Sequence, residues 1–331
     1  MALNPGELDV VVASDVLGAH APGVIEGRSL WAIAWRKLRR DKLALAGGVV
    51  VLLFVLVALL APVLTKIYGQ SYLDQHNSPP DDLLDPGTNL PLGHLGGMTS
   101  HHWFGVTPVL GQDVLSMLMF GARTSLVIGV AATALSVVLG VSFGTVAGYY
   151  RGWVDQLISR FMDVLLSFPV LLLSISLLAV MSLINPAGWV RFVVLVFVLG
   201  FFGFPYIGRI VRGQVLSLRE KEFVDASRSL GASSFQIMTR EIAPNLVGPV
   251  LVYATLTIPN NILGEAGLSF LGVGIQPPTP SWGQMLSVAG AYFQVDPMYL
   301  VFPGCALFIT VVAFNLFGDG LRDALDPRST R

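Results

Sequence analysis

Six segments of close to 20 residues, almost entirely apolar, constrain the fold of this chain more than any other feature of its sequence. An α-helix needs about 20 apolar residues to cross the roughly 30 Å hydrocarbon core of a bilayer. Only 12% of the 331 residues are charged, about half the fraction found in typical soluble domains. The sequence therefore predicts an all-α, polytopic membrane protein with six transmembrane helices. The predicted spans are residues 43–64, 125–147, 164–184, 192–210, 246–263 and 299–317.

The basic residues predict how these spans are oriented. All but three of the 20 Lys and Arg residues lie before the first span, after the second, around the segment between the fourth and the fifth, or after the sixth. The exceptions are Lys66, Arg123 and Arg191. Because cytoplasmic loops of membrane proteins are enriched in Lys and Arg, we place the basic side in the cytoplasm. An even number of spans then predicts that the N and C termini are both cytoplasmic.

The spans divide the chain into segments with different predicted environments. Residues 31–40 set aromatic and aliphatic side chains beside cations, as in a helix that lies on the membrane surface and contacts lipid. The predicted order is a disordered cytosolic tail (1–28), an interfacial amphipathic helix (29–42), the first span (43–64), an extracytoplasmic segment (65–121) and a transmembrane domain (122–328), the last with a cytosolic loop (219–244) and an extracytoplasmic loop (264–298).

Charge and residue types argue against several functions. The formal net charge is -1, so no basic field exists to recruit nucleic acid. The single cysteine, Cys305, excludes an intrachain disulfide framework and a thiolate metal site. All five histidines fall outside the spans, which argues against an intramembrane hydrolase. A transient metal site at His94, His101 and His102 is the alternative interpretation, but we interpret them as solvated loop residues and predict no metal or cofactor site in this chain.

The predicted spans carry almost no ionisable side chains. Arg209, at the cytosolic end of the fourth span, is the exception. Ion-coupled transporters usually keep ionisable groups at mid-membrane, so a stand-alone secondary transporter or channel is only the alternative interpretation. Pro249 and Pro259 interrupt the fifth span, which also contains Asn260 and Asn261. These residues predict a helix that faces an interior path rather than lipid.

The cytosolic stretch 221–245 has the features of two short helices joined by a turn. Apolar residues recur at helical spacing up to Leu230, and Gly231 follows where a left-handed C-cap belongs. Ser233 and Gln236 then have the spacing of a capping box. Such an element either lies on lipid headgroups or docks into a partner. Because acidic side chains alternate with the cations, docking is the favoured interpretation.

The pattern Asp225-Ala-Ser-x-x-x-Gly231, with Pro244 further on, resembles the EAA loop of permease subunits in binding-protein-dependent ABC importers. In that family the loop supplies the coupling helix, which sits in a groove of a cytosolic ATPase. Asp225, Ser227 and Ala243 depart mildly from the family pattern. The resemblance implies a type I ABC importer permease fold in the inner membrane of a prokaryote. The residues predicted to couple to the ATPase are Glu222, Asp225, Ala226, Arg228, Leu230, Gly231, Ala232, Phe235 and Pro244.

A second stretch runs from Glu265 to Gly283 and reads EAGLSFLGVGIQPPTPSWG. It is similar to the signature that follows the fifth span in the C-type permeases of dipeptide, oligopeptide and nickel importers. Its glycines, prolines and interleaved apolar residues suit a capping loop at a pore mouth. The residues predicted to lie along a translocation path or outer gate are Asn260, Asn261, Glu265, Phe270 and Trp282.

The resemblance implies a translocation subunit and not an enzyme. It implies a heterodimer with a homologous B-type permease, two cytosolic P-loop ATPase subunits and an extracytoplasmic solute-binding protein. The chain contains no G-x-x-x-x-G-K-[ST] motif, so ATP and Mg²⁺ are expected on the partner ATPases. The implied activity is import of di- or oligopeptides by alternating access. A peptide-like cofactor or a nickel chelate stays open as cargo, because in this family the binding protein largely selects it.

Overall fold

The computed structural model describes residues 35–77, 83–93, 95–184 and 188–325. The predicted tail 1–28, residues 29–34 of the predicted interfacial helix 29–42 and His94 lie outside these ranges. The described residues are mostly helical, with two isolated β-bridges in the first outer segment. The elements are α1 (Lys42–Tyr68), α2 (Val114–Tyr150), α3 (Gly152–Ser167), α4 (Val170–Ile184), α5 (Gly188–Leu218), α6 (Glu222–Ser229), α7 (Ser234–Gln236), a π-helical turn (Ile237–Ile242), α8 (Ala243–Phe270), α9 (Trp282–Ala289) and α10 (Pro297–Leu325).

Five of the six predicted spans are confirmed as long apolar helices. Helices α1, α2, α5, α8 with the turns before it, and α10 are each long and apolar enough to cross a membrane. They extend past the predicted apolar runs, because helical turns continue into the polar zone beyond the hydrocarbon core. Parts of the predicted outer segment 65–121 are therefore helical, up to Tyr68 and again from Val114. The predicted outer loop 264–298 is also helical as far as Phe270.

The third predicted span, 164–184, is wrong as one continuous helix. Its residues are divided between α3 and α4, whose axes are bent by 71°. The break falls at Phe168, which is extended with ψ of 134°. Pro169 follows. Proline disfavours helical geometry at the residue before it, and it lacks the N–H group that would continue the helical hydrogen bonds. Hydropathy alone does not reveal this interruption.

The N-terminal part of the described chain separates a short helical turn from the first span. Residues 35–38 are helical and the chain then turns. Asp41 is the N-cap of α1, where its side chain accepts hydrogen bonds from the backbone N–H groups of Leu43 and Ala44. The predicted interfacial helix 29–42 therefore ends before Asp41, because an N-cap residue starts a new helix.

Helices α2 and α5 pack closely along a row of glycines on α2. The spacing of Gly140, Gly144 and Gly148 predicts close helix approach, and the structure confirms it. A Cβ atom at Gly144 would lie 2.6 Å from the carbonyl oxygen of Gly208 on α5. The equivalent positions at Gly140 and Gly148 are equally crowded by α5 side chains. The two helices thus form one packed unit through the membrane.

Replacing Gly144 with valine is expected to force α2 and α5 apart, because the new side chain meets backbone that cannot move aside alone. Overpacking of this kind costs about 1–3 kcal/mol. The expected result is a lower yield of chain that stays monodisperse in mild detergent, measured by size-exclusion chromatography. The matched control is Gly213→Val on α5, where no atom lies within 4 Å of an added Cβ. Equal behaviour of the two variants would contradict the packing argument.

On the extracytoplasmic side, a buried polar cluster holds the first outer segment against α1 and α2. Asp113 is fully buried and caps α2 by accepting from the backbone N–H of Ser116. Its other oxygen lies 2.9 Å from Nδ1 of His102 and accepts from the hydroxyl of Tyr68 at 3.0 Å. His102 is therefore buried, which corrects its interpretation as a solvated loop residue, whereas His101 is exposed. This cluster ties α1, the outer segment and α2 together.

Candidate coupling surface and outer gate

The cytosolic element between α5 and α8 consists of two short helices joined by a turn, as the sequence predicts. Helix α6 ends at Ser229, and Gly231 has the left-handed φ of +83° expected at a helix C-terminus. Ser233 is the N-cap of α7, and both hydrogen bonds of the capping box with Gln236 are present. We call residues 219–242 the coupling knob.

The coupling knob is attached to the membrane helices by buried apolar side chains. Val224 of α6 and both Ile237 and Ile242 of the π-helical turn are fully buried. They pack in one cluster with Val211 and Val215 of α5, and with residues of α2 and α8. Burial of these side chains couples the orientation of the knob to that of α5 and α8, since packed interiors transmit displacement.

Charged residues fix the knob to the cytosolic end of α2. Arg219 donates to the carbonyl oxygen of Tyr149 and lies over its ring at 5.9 Å. Arg151 donates to Glu220 at 2.7 Å. None of these residues was predicted from the sequence, because each pair joins positions about 70 residues apart along the chain.

The outward surface of the knob is apolar at its tip. Leu230 is 89% exposed and Phe235 is 71% exposed, although large apolar side chains on a polar surface are usually covered. Asp225 and Arg228 are exposed and form an ion pair with each other at 2.8 Å. The other predicted coupling residues are placed as follows: Glu222, Ala226 and Pro244 are exposed, and Ala232 is half-buried against the cluster that anchors the knob.

On the opposite side, Glu265 is the centre of a buried polar network. It lies near the outer end of α8 and is fully buried. Its carboxyl group accepts from the hydroxyl of Ser269 at 2.7 Å and from the hydroxyl of Ser125 on α2 at 2.9 Å. Ser125 in turn accepts from the backbone N–H of Trp282 at 3.2 Å, and Ser269 accepts from that of Ile275 at 3.0 Å. The network joins α2, α8 and the segment 271–282, which we call the outer cap.

The remaining predicted path residues do not form one surface. Trp282, the first residue of α9, is fully buried and donates from Nε1 to the carbonyl oxygen of Leu118 at 3.2 Å. Asn261 is buried and donates to the hydroxyl of Thr133 on α2 at 2.9 Å. Asn260 and Phe270 are exposed on α8. Their role in a path stays a prediction.

Two ionisable residues lie in the long apolar helices just beyond the bounds of the predicted spans. Glu265 lies inside the helix that forms the fifth span, and Arg191 lies in the first turn of α5. Both are buried. They fall just outside the apolar runs that define the predicted spans by hydropathy, so the sequence did not predict that they are buried within these helices. Buried ionisable residues in membrane helices often have functional roles, so Glu265 is a stronger candidate site than its position in a loop suggested.

One acidic residue at the outer edge has a perturbed pKa. Asp296 lies directly before α10 and is buried, with one oxygen accepting from the backbone N–H of Tyr299. Burial raises the pKa of its carboxyl group above the ordinary value for aspartate, because desolvation disfavours the charged form. Within the described ranges, no group of three His, Cys, Asp or Glu side chains is arranged to hold a metal ion.

Comparison with known proteins places this architecture in a family. The family model for the inner membrane component of binding-protein-dependent transport systems matches residues 140–331, more than half of the chain. This chain belongs to that permease family. The model for the N-terminal transmembrane domain of oligopeptide transport permease C matches residues 29–80.

Relatives of this permease match along most of its length. It is 38% identical over 300 residues to the dipeptide transport system permease protein DppC of Alkalihalophilus pseudofirmus, covering 91% of this chain and 90% of that protein. It is 40% identical over 301 residues to the glutathione transport system permease protein GsiD of Escherichia coli O6:K15:H31, covering 91% of each. The protein is therefore a multi-pass permease of the bacterial inner membrane.

A solved structure supports the same fold for the permease. A chain of the MetNI methionine ABC transporter, in an inward-facing conformation, superposes with a TM-score of 0.51 at 19% sequence identity. The match covers 64% of this chain and 97% of the MetNI chain. The predicted type I importer fold is confirmed by this likeness together with the family match.

Proposed function

We propose that this permease is one half of the membrane channel of an ATP-driven peptide importer, and that the coupling knob receives movement from a cytosolic ATPase. The observation that carries the proposal is the knob itself. Its tip exposes Leu230 and Phe235 to the cytosol, while Val224, Ile237 and Ile242 anchor it inside the helix bundle. An element that is apolar outside and rigidly attached inside suits a groove on a partner protein.

The movement follows from how the knob is attached. It is continuous with α5 and α8, and it is also held to the end of α2 through Arg219 and Glu220. A displacement of the knob therefore moves α5 and α8 together. Their movement switches the translocation path from one side of the membrane to the other. This rigid-body transition gives alternating access. ATP and Mg²⁺ bind the partner ATPases, and this chain contributes no catalytic residue.

The proposed cargo is a di- or oligopeptide. Two relatives that match over 91% of the chain are named as permeases for dipeptides and for glutathione, itself a small peptide. The proposed assembly contains a homologous B-type permease, two P-loop ATPases and an extracytoplasmic solute-binding protein. The binding protein delivers the peptide to the outer side and so selects among peptides.

The docking role of the knob tip predicts an effect on assembly. A double variant in which both Leu230 and Phe235 are replaced by aspartate should reduce the amount of ATPase that co-purifies with this chain by at least about tenfold. The reason is that losing a central apolar anchor typically costs about 2 kcal/mol or more of binding free energy. The matched control is Phe293→Asp, because Phe293 is exposed at the extracytoplasmic turn before α10. ATPase recovery that is equal in both variants would contradict docking at this tip.

The proposal as a whole is tested by purifying the tagged chain gently from its native membrane and identifying what accompanies it by mass spectrometry. Recovery of a second permease and of P-loop ATPases is expected, and elution of the accompanying binding protein would identify the cargo. Repeated recovery of this chain alone, from membranes in which the candidate ATPases are intact, would favour a stand-alone secondary transporter or channel.

A further inference from the structure

A pocket of about 370 Å³ lies between the outer ends of α2 and α5, beneath the outer cap. Tyr72 of the first outer segment forms one side, and Ile275 and Thr279 of the outer cap lie above it. Phe120 of α2 and Trp189 of α5 contribute aromatic walls. The pocket thus lies at the outer ends of two predicted spans, 125–147 and 192–210, which is the level expected for the lipid headgroups.

Arg123 is the one charged residue among those that form this pocket. It is exposed on α2, and within the described part of the chain it has no hydrogen bond or ion pair. Lys66 lies in a neighbouring pocket that shares Tyr72 and Phe120, together with the acidic residue Asp74. The pocket therefore presents a positive charge against aromatic walls with no acidic group of its own, which suits an anionic group.

Below the pocket, exposed apolar side chains continue toward the middle of the membrane. On α2, Val127 and Val130 follow Arg123 by one and two helical turns, and on α5, Val193 and Phe197 follow Trp189 in the same direction. All five of these apolar and aromatic residues are exposed. A free anion in water makes no use of such an exposed apolar surface, whereas an acyl chain attached to a headgroup would lie along it.

We propose that this pocket binds the headgroup phosphate of an anionic phospholipid from the outer leaflet, with Arg123 as its cation and an acyl chain along the exposed apolar side chains of α2 and α5. Arginine suits a phosphate because its planar guanidinium group can donate two parallel hydrogen bonds. Tyr72 and Trp189 are amphipathic aromatics of the type enriched at the headgroup level. A lipid held here would contact the outer cap and α5 at once, and α5 is one of the helices that move in the proposed function.

The test places the photo-crosslinking amino acid p-benzoylphenylalanine at Val130, in the chain purified with the partners that accompany it. The complex is reconstituted in nanodiscs containing equal amounts of phosphatidylglycerol and phosphatidylcholine. Adducts are identified by mass spectrometry. The reference position is Leu59, which is exposed on α1 and does not belong to the pocket. We expect phosphatidylglycerol to be enriched over phosphatidylcholine at position 130 by about fivefold relative to position 59.

The variants separate a specific site from general lipid contact. Arg123→Gln should lower the ratio of phosphatidylglycerol to phosphatidylcholine adducts at position 130 to the value at position 59. Arg123→Lys should retain part of the enrichment. Arg160→Gln removes an exposed cation on α3 and should leave the enrichment unchanged. Two results would each overturn the proposal. They are equal phosphatidylglycerol-to-phosphatidylcholine ratios at the two positions, and adducts at position 130 that join a protein chain instead of lipid.

Discussion

Replacing Gly231 with valine is expected to uncouple transport from ATP hydrolysis while the chain still inserts in the membrane. Gly231 has a φ of +83°, and no atom lies within 4 Å of the position that a Cβ would occupy. The cost therefore comes from backbone conformation and not from a clash. For an L-residue the left-handed region costs roughly 1–2 kcal/mol, and more for a β-branched one, so the native turn becomes disfavoured by about 5- to 30-fold.

The control for this prediction is Gly231→Asn, because asparagine adopts left-handed geometry several times more readily than other non-glycine residues. Both variants are reconstituted with their partner subunits, and peptide uptake and ATP hydrolysis are measured in the same vesicles. We expect uptake per ATP to fall in the valine variant by a factor similar to the conformational cost, and to stay near the native value in the asparagine variant. Normal uptake by the valine variant at normal expression would contradict the coupling role of this turn.

Replacing Glu265 with alanine is expected to loosen the outer cap. The carboxyl group holds the hydroxyl groups of Ser125 and Ser269, which in turn bind the backbone of Trp282 and Ile275. Removing it leaves both hydroxyl groups without their acceptor at a site that water does not reach. Leaving a buried polar group unsatisfied costs about 1–3 kcal/mol, so the assembled complex should unfold at a temperature several degrees lower.

Glu265→Gln separates the network from the charge. Glutamine keeps the size of the side chain and one oxygen acceptor, and a serine hydroxyl can rotate to accept from its NH₂ group. We therefore expect thermal stability close to the native value for Glu265→Gln and a clear loss for Glu265→Ala, measured by differential scanning fluorimetry of the purified complex. If transport fails equally in both variants while stability is retained in the glutamine form, the carboxylate itself takes part in transport and the account of Glu265 as a positioning residue is wrong.

Local sequence signals predicted the coupling knob well, because its turn depends on neighbouring residues. A glycine in a left-handed C-cap and a serine with a glutamine three residues later encode the break between α6 and α7 without help from the rest of the fold. The close approach of another helix at the glycine row of α2 could be predicted equally well, since the spacing of small residues along one helix determines which face another helix can approach.

Features that depend on distant residues could not be predicted in this way. Glu265 and Ser125 are 140 positions apart, and Glu220 and Arg151 are 69 apart. A single sequence carries no record of which distant positions vary together, so nothing in the local pattern joins these pairs. The bend at Phe168 is a different case, because the signal for it, Pro169, is local. The span was predicted from mean hydropathy over a window, and one proline changes that mean very little.

The central claim is that an ATPase drives this permease through the coupling knob, and peptide uptake into proteoliposomes tests it most directly. The full complex is reconstituted with its binding protein outside and ATP and Mg²⁺ inside, on the side of the ATPase subunits, and a labelled dipeptide is added outside. We predict accumulation above the external concentration that requires ATP hydrolysis, persists when proton and sodium gradients are collapsed, and is lost in the Gly231→Val variant. Accumulation driven by an ion gradient in the absence of ATP would contradict the account.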